Sequence, residues 1–322
     1  MLLMQLYPLQ KLGYTCSLFG KSRKGWYSCQ KAIVSDGLQD TLVLKLVDEI
    51  RVNLPRCGTD KLHFMLRSSF ASHGIKMGRD LLYTLLGEHG LLVRYRRRKP
   101  YTTDSYHRYK KYPNLIRNMV LTRAGQLWVS DITYLRLTVG FCYLSIITDA
   151  YSHKIVGYKL HATLQRQGPI DALLMACKEV KKGKELIHHS DRGVQYCCDD
   201  YVALIERNHI KLSMTEKGDP YENAIAERIN GILKDEFSLG ETFVNVSNAN
   251  RLVDDAVHKY NHIRIHDSCN RLTPMVAHEQ TGTLPKLWKN RLYPTPKVQE
   301  MTSVIPAKQG DGSFTEGVIS TP

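Results

Sequence analysis

The stretch QLWVSDITYLRL, residues 126–137, alternates apolar and polar side chains and is rich in β-formers. That pattern reads as a strand with one face on a core. GFCYLSIITDAY (140–151) and KIVGYKLH (154–161) follow, with Gly140 and Ser152 near the turns. Three such runs in succession predict a three-stranded meander. Beyond it the period changes. A helix is expected over about 169–182 and a short strand in ELIHHS (185–190). A helix over about 196–207, a strand in IKLSMT (210–215) and a final helix over about 220–237 complete the region. A meander followed by alternating helix and strand predicts an α/β fold, a mixed sheet with helices on its faces.

Working toward the amino terminus, residues 37–90 read as helices. Leu38, Leu42, Leu46 and Ile50 recur every four residues, with Val43 and Val47 beside them, so one apolar stripe is expected to face a core until the chain nears Pro55. A second helix is expected after Thr59, burying Leu62, Met65 and Leu66. A third is expected from about Gly78, burying Leu81, Leu82, Leu85 and Leu86 and capped by Gly90. Short helices joined by tight turns suit a helix-turn-helix-like module. The organisation expected is therefore a helical, helix-turn-helix-like region over 1–90, a basic Tyr-rich connector over 91–123 and the mixed-sheet core over 124–240. A helical extension over 241–293 follows, with its last helix opened by Thr273-Pro274, and then a flexible tail over 294–322 rich in Pro, Gly, Ser and Thr.

The formal net charge of +14 is unevenly placed. Residues 1–120 hold 21 Lys and Arg against 8 Asp and Glu, whereas the remainder holds 24 against 23. An excess confined to the first third points to a polyanion met there, most simply DNA. Its densest part is the connector, where Arg94, Arg96, Arg97, Arg98 and Lys99 are followed by Arg108, Lys110 and Lys111. Tyr95, Tyr101, Tyr106, Tyr109 and Tyr112 are interleaved, so phosphate contact with stacking on sugars or unpaired bases is expected. No apolar run is long enough to span a bilayer. The opening MLLMQLYPLQKLGYTC lacks a basic leader and a small-residue cleavage site, so no signal peptide is expected. The eight cysteines include no C-x-x-C pair and no Cys pair and His pair at zinc-ligand spacing. Reduced thiols in a cytoplasmic protein are expected.

Three acids fall where chemistry could gather them. Asp131 lies within the first strand, Asp191 just past the strand ELIHHS, and Glu227 in a helix. In a mixed sheet the first and fourth strands can lie side by side, and the last helix can carry Glu227 across the same edge. Clustered carboxylates repel and raise one another's pKa, a conflict that a divalent cation resolves. Hard oxygen ligands suit Mg²⁺ or Mn²⁺. Two such ions can activate an attacking oxygen and stabilise the leaving one in phosphoryl transfer.

Asp131, Asp191 and Glu227, with thirty-five residues between the last two, resemble the D, D and E of the integrase-core superfamily. The flanking words W-x-x-D-I-T-Y, H-S-D-x-G-x-Q-Y, G-x-P-Y-x-N-A-x-x-E and L-K-x-E resemble those of insertion-sequence family three transposases of the OrfB type. So does Y-N-x-x-R-x-H followed by T-P, here Tyr260, Asn261, Arg264, His266, Thr273 and Pro274. The resemblance covers roughly 15–282. It implies an RNase H-like core and a polynucleotidyl transferase that cuts DNA to a free 3′-OH and joins that end to another phosphodiester. It implies catalysis and metal binding by the three acids, with Mg²⁺ or Mn²⁺, two ions per site. It also implies a homo-oligomer on element ends and target DNA, in a bacterial, nucleoid-associated setting with no membrane partner. An upstream-frame helix-turn-helix protein, separate or fused, is an implied partner.

By the same resemblance Lys234, seven residues after Glu227 and on nearly the same helical face, positions DNA. Asn223, one turn before Glu227, shapes the helix start or holds DNA. His189 and Arg192 flank Asp191, where they can touch a phosphate or support the backbone. Asp149 reads as a turn residue. Glu222 stands where the family usually has Asp, and Gly231 weakens the catalytic helix by up to about 1 kcal/mol relative to Ala. Three other readings remain: a catalytically inactive, transposase-derived DNA-binding protein; a retroviral-type integrase, whose His-His-Cys-Cys zinc module is not found; and an RNase H-type nuclease, which needs other acids.

Overall fold

The computed structural model describes residues 11–93, 108–117, 119–180, 183–216, 223–285 and 287, without the side chains of 29–36. By its internal contacts the chain divides into a unit Met1–Leu287 and a second, Trp288–Pro322, which lies outside the described residues together with the expected tail.

The amino-terminal region is helical, as expected. Helices α1 (Leu12–Leu18), α2 (Arg23–Asn53), α3 (Thr59–Ser72) and α4 (Arg79–Glu88) succeed one another. The apolar stripe of α2 needs a correction. Its buried line is Val43 and Val47, both fully inaccessible, with Leu42, Leu46 and Ile50 half-buried beside them and Leu38 exposed. A spacing of four overshoots a 3.6-residue turn by about 40° per repeat, so a run of four such leucines winds off any one face. In α3 Leu62 and Leu66 are buried and Met65 packs at the margin. In α4 Leu82, Leu85 and Leu86 are buried, while Leu81 faces solvent. Gly90 closes α4 with φ +66°, and Leu91 N–H donates to the Leu86 carbonyl at 2.7 Å, the pairing of a Schellman cap.

The end of the connector is a strap on the core. Pro113 accepts from Met214 N–H, and Leu115 N–H donates to Ser213 Oγ at 2.9 Å. Tyr109 and Tyr112 pack against the apolar core on one face of the sheet. These two tyrosines are half-buried and anchor the strap to the core. The expected phosphate contacts Arg94, Arg96, Arg97, Arg98 and Lys99, and Tyr95, Tyr101 and Tyr106, lie outside the described residues.

The sheet has the expected RNase H-like plan. Strands β1 (Leu127–Leu137), β2 (Phe141–Asp149) and β3 (Ile155–His161) pair antiparallel; β4 (Ile187–Ser190) lies parallel to β1, and β5 (Lys211–Met214) parallel to β4. The order is β3-β2-β1-β4-β5. Between β3 and β4 runs α5 (Gln167–Cys177), shorter than expected. The single helix expected over 196–207 is two, α6 (Val194–Cys197) and α7 (Asp199–Arg207), because Cys198 is extended at ψ 148°. Next come α8 (Ala224–Glu236), β6 (Thr242–Phe243), α9 (Val246–His262) and α10 (Pro274–His278), whose Thr273 cap accepts from Val276 N–H.

Helices cover both faces. α5 and α7 pack on Trp128, Ile147 and Val156. α8 and α9 pack on Leu135, Leu144 and Ile146. At Gly157 a Cβ would stand 2.2 Å from the Ala172 carbonyl, so the close seating of α5 on β3 requires glycine there. β1 is paired on its second edge only at its ends. β4 meets residues 127–129 and β6 meets 136–137. α8 closes the gap between them, with Asn223 Nδ2 donating to the Ser130 carbonyl at 3.0 Å. That gap is what lets a helix carry a side chain up to the middle of the first strand.

Candidate active site

Asp131 sits in that open stretch of β1. Its Oδ1 accepts from Ile132 N–H at 2.9 Å, and its Oδ2 accepts from Asn230 Nδ2 at 2.7 Å. Some of its surface reaches solvent, but protein encloses the carboxyl on most sides. Burial pushes its pKa to about 7, Asp191 adds to the rise, Asn230 and the backbone oppose it, and Glu227 contributes a smaller rise. The fold thus brings one charge from just past β4 and one from α8 to bear on a carboxyl of β1. The parallel pairing of β1 with β4 places Asp191 alongside, one residue past the end of β4.

Asp191 Oδ1 accepts from Gly193 N–H at 3.0 Å. A Cβ on Gly193 would stand 3.0 Å from that same oxygen and 3.2 Å from Gln195 Oε1, so a larger residue here would press on both side chains, at an ordinary φ of −61°. Behind the two aspartates lie Tyr196 and Tyr201, both buried, with ring centroids 5.4 Å apart. Tyr201 Oη bonds His188 Nε2 at 2.9 Å. Burial, Tyr201 and the two aspartates all hold the Tyr196 phenol protonated. Glu227, in the first turn of α8, is exposed, and the protein around it still raises its pKa.

Two models of the integrase core domain match the chain, over residues 122–220 and 208–274. An uncharacterized 31 kDa protein of insertion element IS600 from Shigella sonnei is 34% identical over 82% of this chain and 97% of its own length. The InsF transposase of insertion sequence IS3A from Escherichia coli K12 is 30% identical over 80% of this chain and 91% of its own. The chain belongs to the IS3 transposase family. Among solved structures, the HTLV-2 integrase catalytic core domain in complex with magnesium covers 49% of the chain at 19% identity, with a TM-score of 0.40.

The transposase places the remaining candidates unequally. Lys234 is half-buried, and its ammonium lies 4.6 Å from the centre of the Tyr134 ring, over the strand that carries Asp131. Asn223 is buried and fastens α8 to β1 through the Ser130 carbonyl. Arg192 is half-buried beside Asp191. His189 bonds the Ser213 hydroxyl at 2.9 Å, so it ties β4 to β5 and, through Leu115, to the connector. Asp149 is indeed a turn residue: it accepts from Gly125 N–H, Ser152 N–H and Ser152 Oγ. Glu222 lies outside the described residues. Asn230, Gly193 and Tyr134 were missed in the sequence. Asn230 is three residues after Glu227 on a helix, a spacing that shares a face and was enough to find it.

The Y-N-x-x-R-x-H segment of the transposase holds no part of this site. It braces it. Tyr260 Oη donates to the His153 carbonyl, and Asn261 pairs with both backbone groups of Ile155, each at 3.0 Å. Arg264 grips Glu236, at the end of α8, through two bonds of 2.7 Å. His266 stacks on His153 with centroids 4.3 Å apart and planes 16° from parallel. With Cys269 these two histidines bring possible metal donors within 4.8 Å of one another. Their chemistry does not suit an ion. Ser268 N–H donates to His266 Nδ1, which puts the ring proton on Nε2, and stacked rings cannot aim two lone pairs at one point. Cys269 Sγ donates to the Ser152 carbonyl at 3.3 Å. Burial, His153 and then Arg264 all keep His266 neutral. The cluster is a polar clamp on the β2–β3 turn.

Proposed function

We propose that Asp131, Asp191 and Glu227 are the catalytic and metal-binding acids of this transposase, and that they serve cleavage of a DNA strand to a free 3′-OH and its transfer to a second phosphodiester. The observation that carries the reading is the placement of Asp131 in the open stretch of β1, with Asp191 one residue past the parallel strand β4 and Glu227 in the first turn of α8, a convergence that agrees with the raised pKa of Asp131. An acid buried against two like charges is a poor neighbour unless a cation belongs among them. The donor set fits: three carboxylates and no soft ligand suit Mg²⁺ or Mn²⁺. Held between these acids, two such ions would activate the attacking hydroxyl and stabilise the leaving oxygen.

The chain's own residues do the rest. Ile132 N–H and Asn230 Nδ2 each hold one of the two oxygens of Asp131, and Gly193 N–H fixes one oxygen of Asp191, so each oxygen keeps a lone pair for a ligand. Water is the nucleophile in the first step and the 3′-OH in the second, so no Ser, Cys or Tyr forms a bond to DNA. Lys234, Arg192 and the connector cations Arg94, Arg96, Arg97, Arg98 and Lys99 bind backbone phosphates. The working form is a homo-oligomer on element ends and target DNA, with an upstream-frame helix-turn-helix partner for end recognition.

The test uses Asp131→Asn, Asp191→Asn and Glu227→Gln on the element's own terminal DNA with Mn²⁺. Each variant is expected to bind DNA within about threefold of the parent and to lose at least about a thousandfold in joining, the scale of removing one electrostatic contributor to a transition state. Near-parental joining by any one variant removes that residue from the set.

A further inference from the structure

Gln195 belongs to the word H-S-D-x-G-x-Q-Y, residues 189–196, and the proposed chemistry gives it no part. Asp191 stands just past β4, and the helix that follows, α6, is a single turn of four residues. So short a helix has little cohesion of its own. Cys198 beyond it is extended, so α7 does not continue it. The segment that carries Asp191 is therefore held by what its side chains reach.

The surroundings of Gly193 show what those side chains do. Gly193 N–H donates to Asp191 Oδ1 at 3.0 Å. A Cβ on this glycine would meet three side chains, Asp191 Oδ1 at 3.0 Å, Gln195 Oε1 at 3.2 Å and Tyr196 Cδ2 at 3.7 Å. The Gln195 amide and the Tyr196 ring thus both rest on the residue that holds Asp191. Tyr196 is fixed by the core, with its ring beside those of His188 and Tyr201. Gln195 is half-buried, and what fixes it is a bond to a distant segment: its Nε2 donates to the Leu164 carbonyl at 3.1 Å. Leu164 lies in the exposed loop between β3 and α5, 31 residues away. The same loop has a second tie to this region, from Arg166 Nε to Asp200 Oδ2 at 3.1 Å, in the first turn of α7. A bond from a half-exposed amide to a carbonyl adds little stability, because water can replace either partner, and fixing a long side chain costs entropy. What the bond does supply is a set position for the amide against Gly193.

We propose that Gln195 is a positioning residue for the reaction: anchored on the Leu164 carbonyl, it presses on Gly193 and keeps that N–H on Asp191 Oδ1, so that the remaining lone pairs of the carboxylate stay aimed at a cation. Gln195 itself ligates nothing and acts through Gly193. This inference rests on the reading of Asp191 as a metal ligand. Groups that orient a ligand govern the affinity of a metal site nearly as the ligands do, and their removal costs about 10- to 100-fold.

The experiment titrates the full chain, without DNA, with Mn²⁺ alone and counts the free ion by electron paramagnetic resonance. Gln195→Met keeps the length of the side chain and removes the amide. Its Mn²⁺ Kd should rise by about 10-fold or more. Hydrogen exchange over residues 191–196, measured in a chelator, should quicken as Gly193 N–H leaves Asp191. The urea midpoint in the chelator should match that of the parent, which a loss of structure would not allow. The Mn²⁺ concentration that gives half-maximal joining should rise by the same factor as the Kd. An unchanged Kd overturns the proposal. So does a raised Kd with a lowered urea midpoint, which would make Gln195 a prop of the fold. Asp191→Asn separates this inference from the catalytic reading. If that variant loses Mn²⁺ binding while Gln195→Met does not, the positioning role fails and the reading of Asp191 stands. If Asp191→Asn binds Mn²⁺ and joins ends as the parent does, the reading of Asp191 fails and takes the positioning role with it.

Discussion

Asp131 makes metal and proton competitors for the same carboxyl. Its pKa of about 7 in the folded chain lies well above the 3.8 of an ordinary aspartate. Between those values the folded state binds a proton that the unfolded state has lost. In a chelator, stability should therefore be highest at low pH by this group's account, fall as pH rises toward 7, and level off above it. The slope from one group is at most about 1.4 kcal/mol per pH unit. Asp131→Asn cannot ionise, so its stability measured by urea unfolding from pH 5 to 8 should lack that component. Mn²⁺ should stabilise the parent more at pH 8 than at pH 6, since the ion requires the carboxylate. Parallel pH profiles for parent and variant would show that Asp131 is not the titrating group. At Gly193 the argument is steric. Ala there would press its Cβ to 3.0 Å from Asp191 Oδ1. Gly193→Ala should lower joining by about tenfold or more through displacement of that carboxylate, with stability changed by less than about 1.5 kcal/mol. A variant with normal joining would show that the Asp191 side chain can give way.

At the scale of elements, the positions of the three proposed acids were legible because each sits on a segment whose type the local pattern declares: an alternating strand, the end of a short strand, and a helix. The braces were not, because they join residues far apart in sequence. Nothing near Arg264 announces Glu236, and nothing near His153 announces His266. Local periodicity also overstated Leu38 and Leu81 as core, since a run of apolar residues spaced along a helix winds beyond the face that is buried. It merged α6 and α7, because one extended residue, Cys198, is invisible in a hydrophobic pattern. The Arg264–Glu236 pair can be tested as a brace of the catalytic helix. Arg264 is 3% exposed and Glu236 18% at the side chain. Burial pushes the Glu236 carboxyl up, but the bonds and charge of Arg264 outweigh that and hold it below the usual range. Arg264→Ala leaves this acid buried and unpaired and should cost about 3–5 kcal/mol. The double variant Arg264→Met, Glu236→Leu removes both charges and should recover most of the loss in urea unfolding. A double variant as unstable as the single one would place the importance of Arg264 in its packing on Tyr260, 5.8 Å from the guanidinium.

Across the whole molecule, the basic first third and the nearly neutral core are physically coupled. Phe237 at the end of α8 and Ile263 after α9 pack into the core of the amino-terminal helices, and Arg271 pairs with Asp60 and lies over Phe64. No described helix is long and apolar enough to cross a membrane. Cutting the chain near Gly125 would strip these contacts as well as the charge, so loss of DNA binding by a truncated protein would not isolate the cations. Charge substitution in the full chain does isolate them. Replacing Arg94, Arg96, Arg97, Arg98 and Lys99 together by Gln keeps length and polarity and removes five positive charges. Each phosphate neutralised by a protein cation contributes about −0.9 to the slope of log K against log salt on duplex DNA. If all five touch phosphate, the slope should become shallower by about 4.5 and affinity at low salt should fall by several orders of magnitude, while affinity at high salt converges with the parent. Joining at saturating protein should change far less than binding, since the acids are untouched. A fluorescence-anisotropy titration over a salt series reads both quantities. Equal slopes in the parent and the five-fold variant would put the DNA-contacting charge elsewhere, with Arg108, Lys110 and Lys111 at the start of the strap as the next cations to replace.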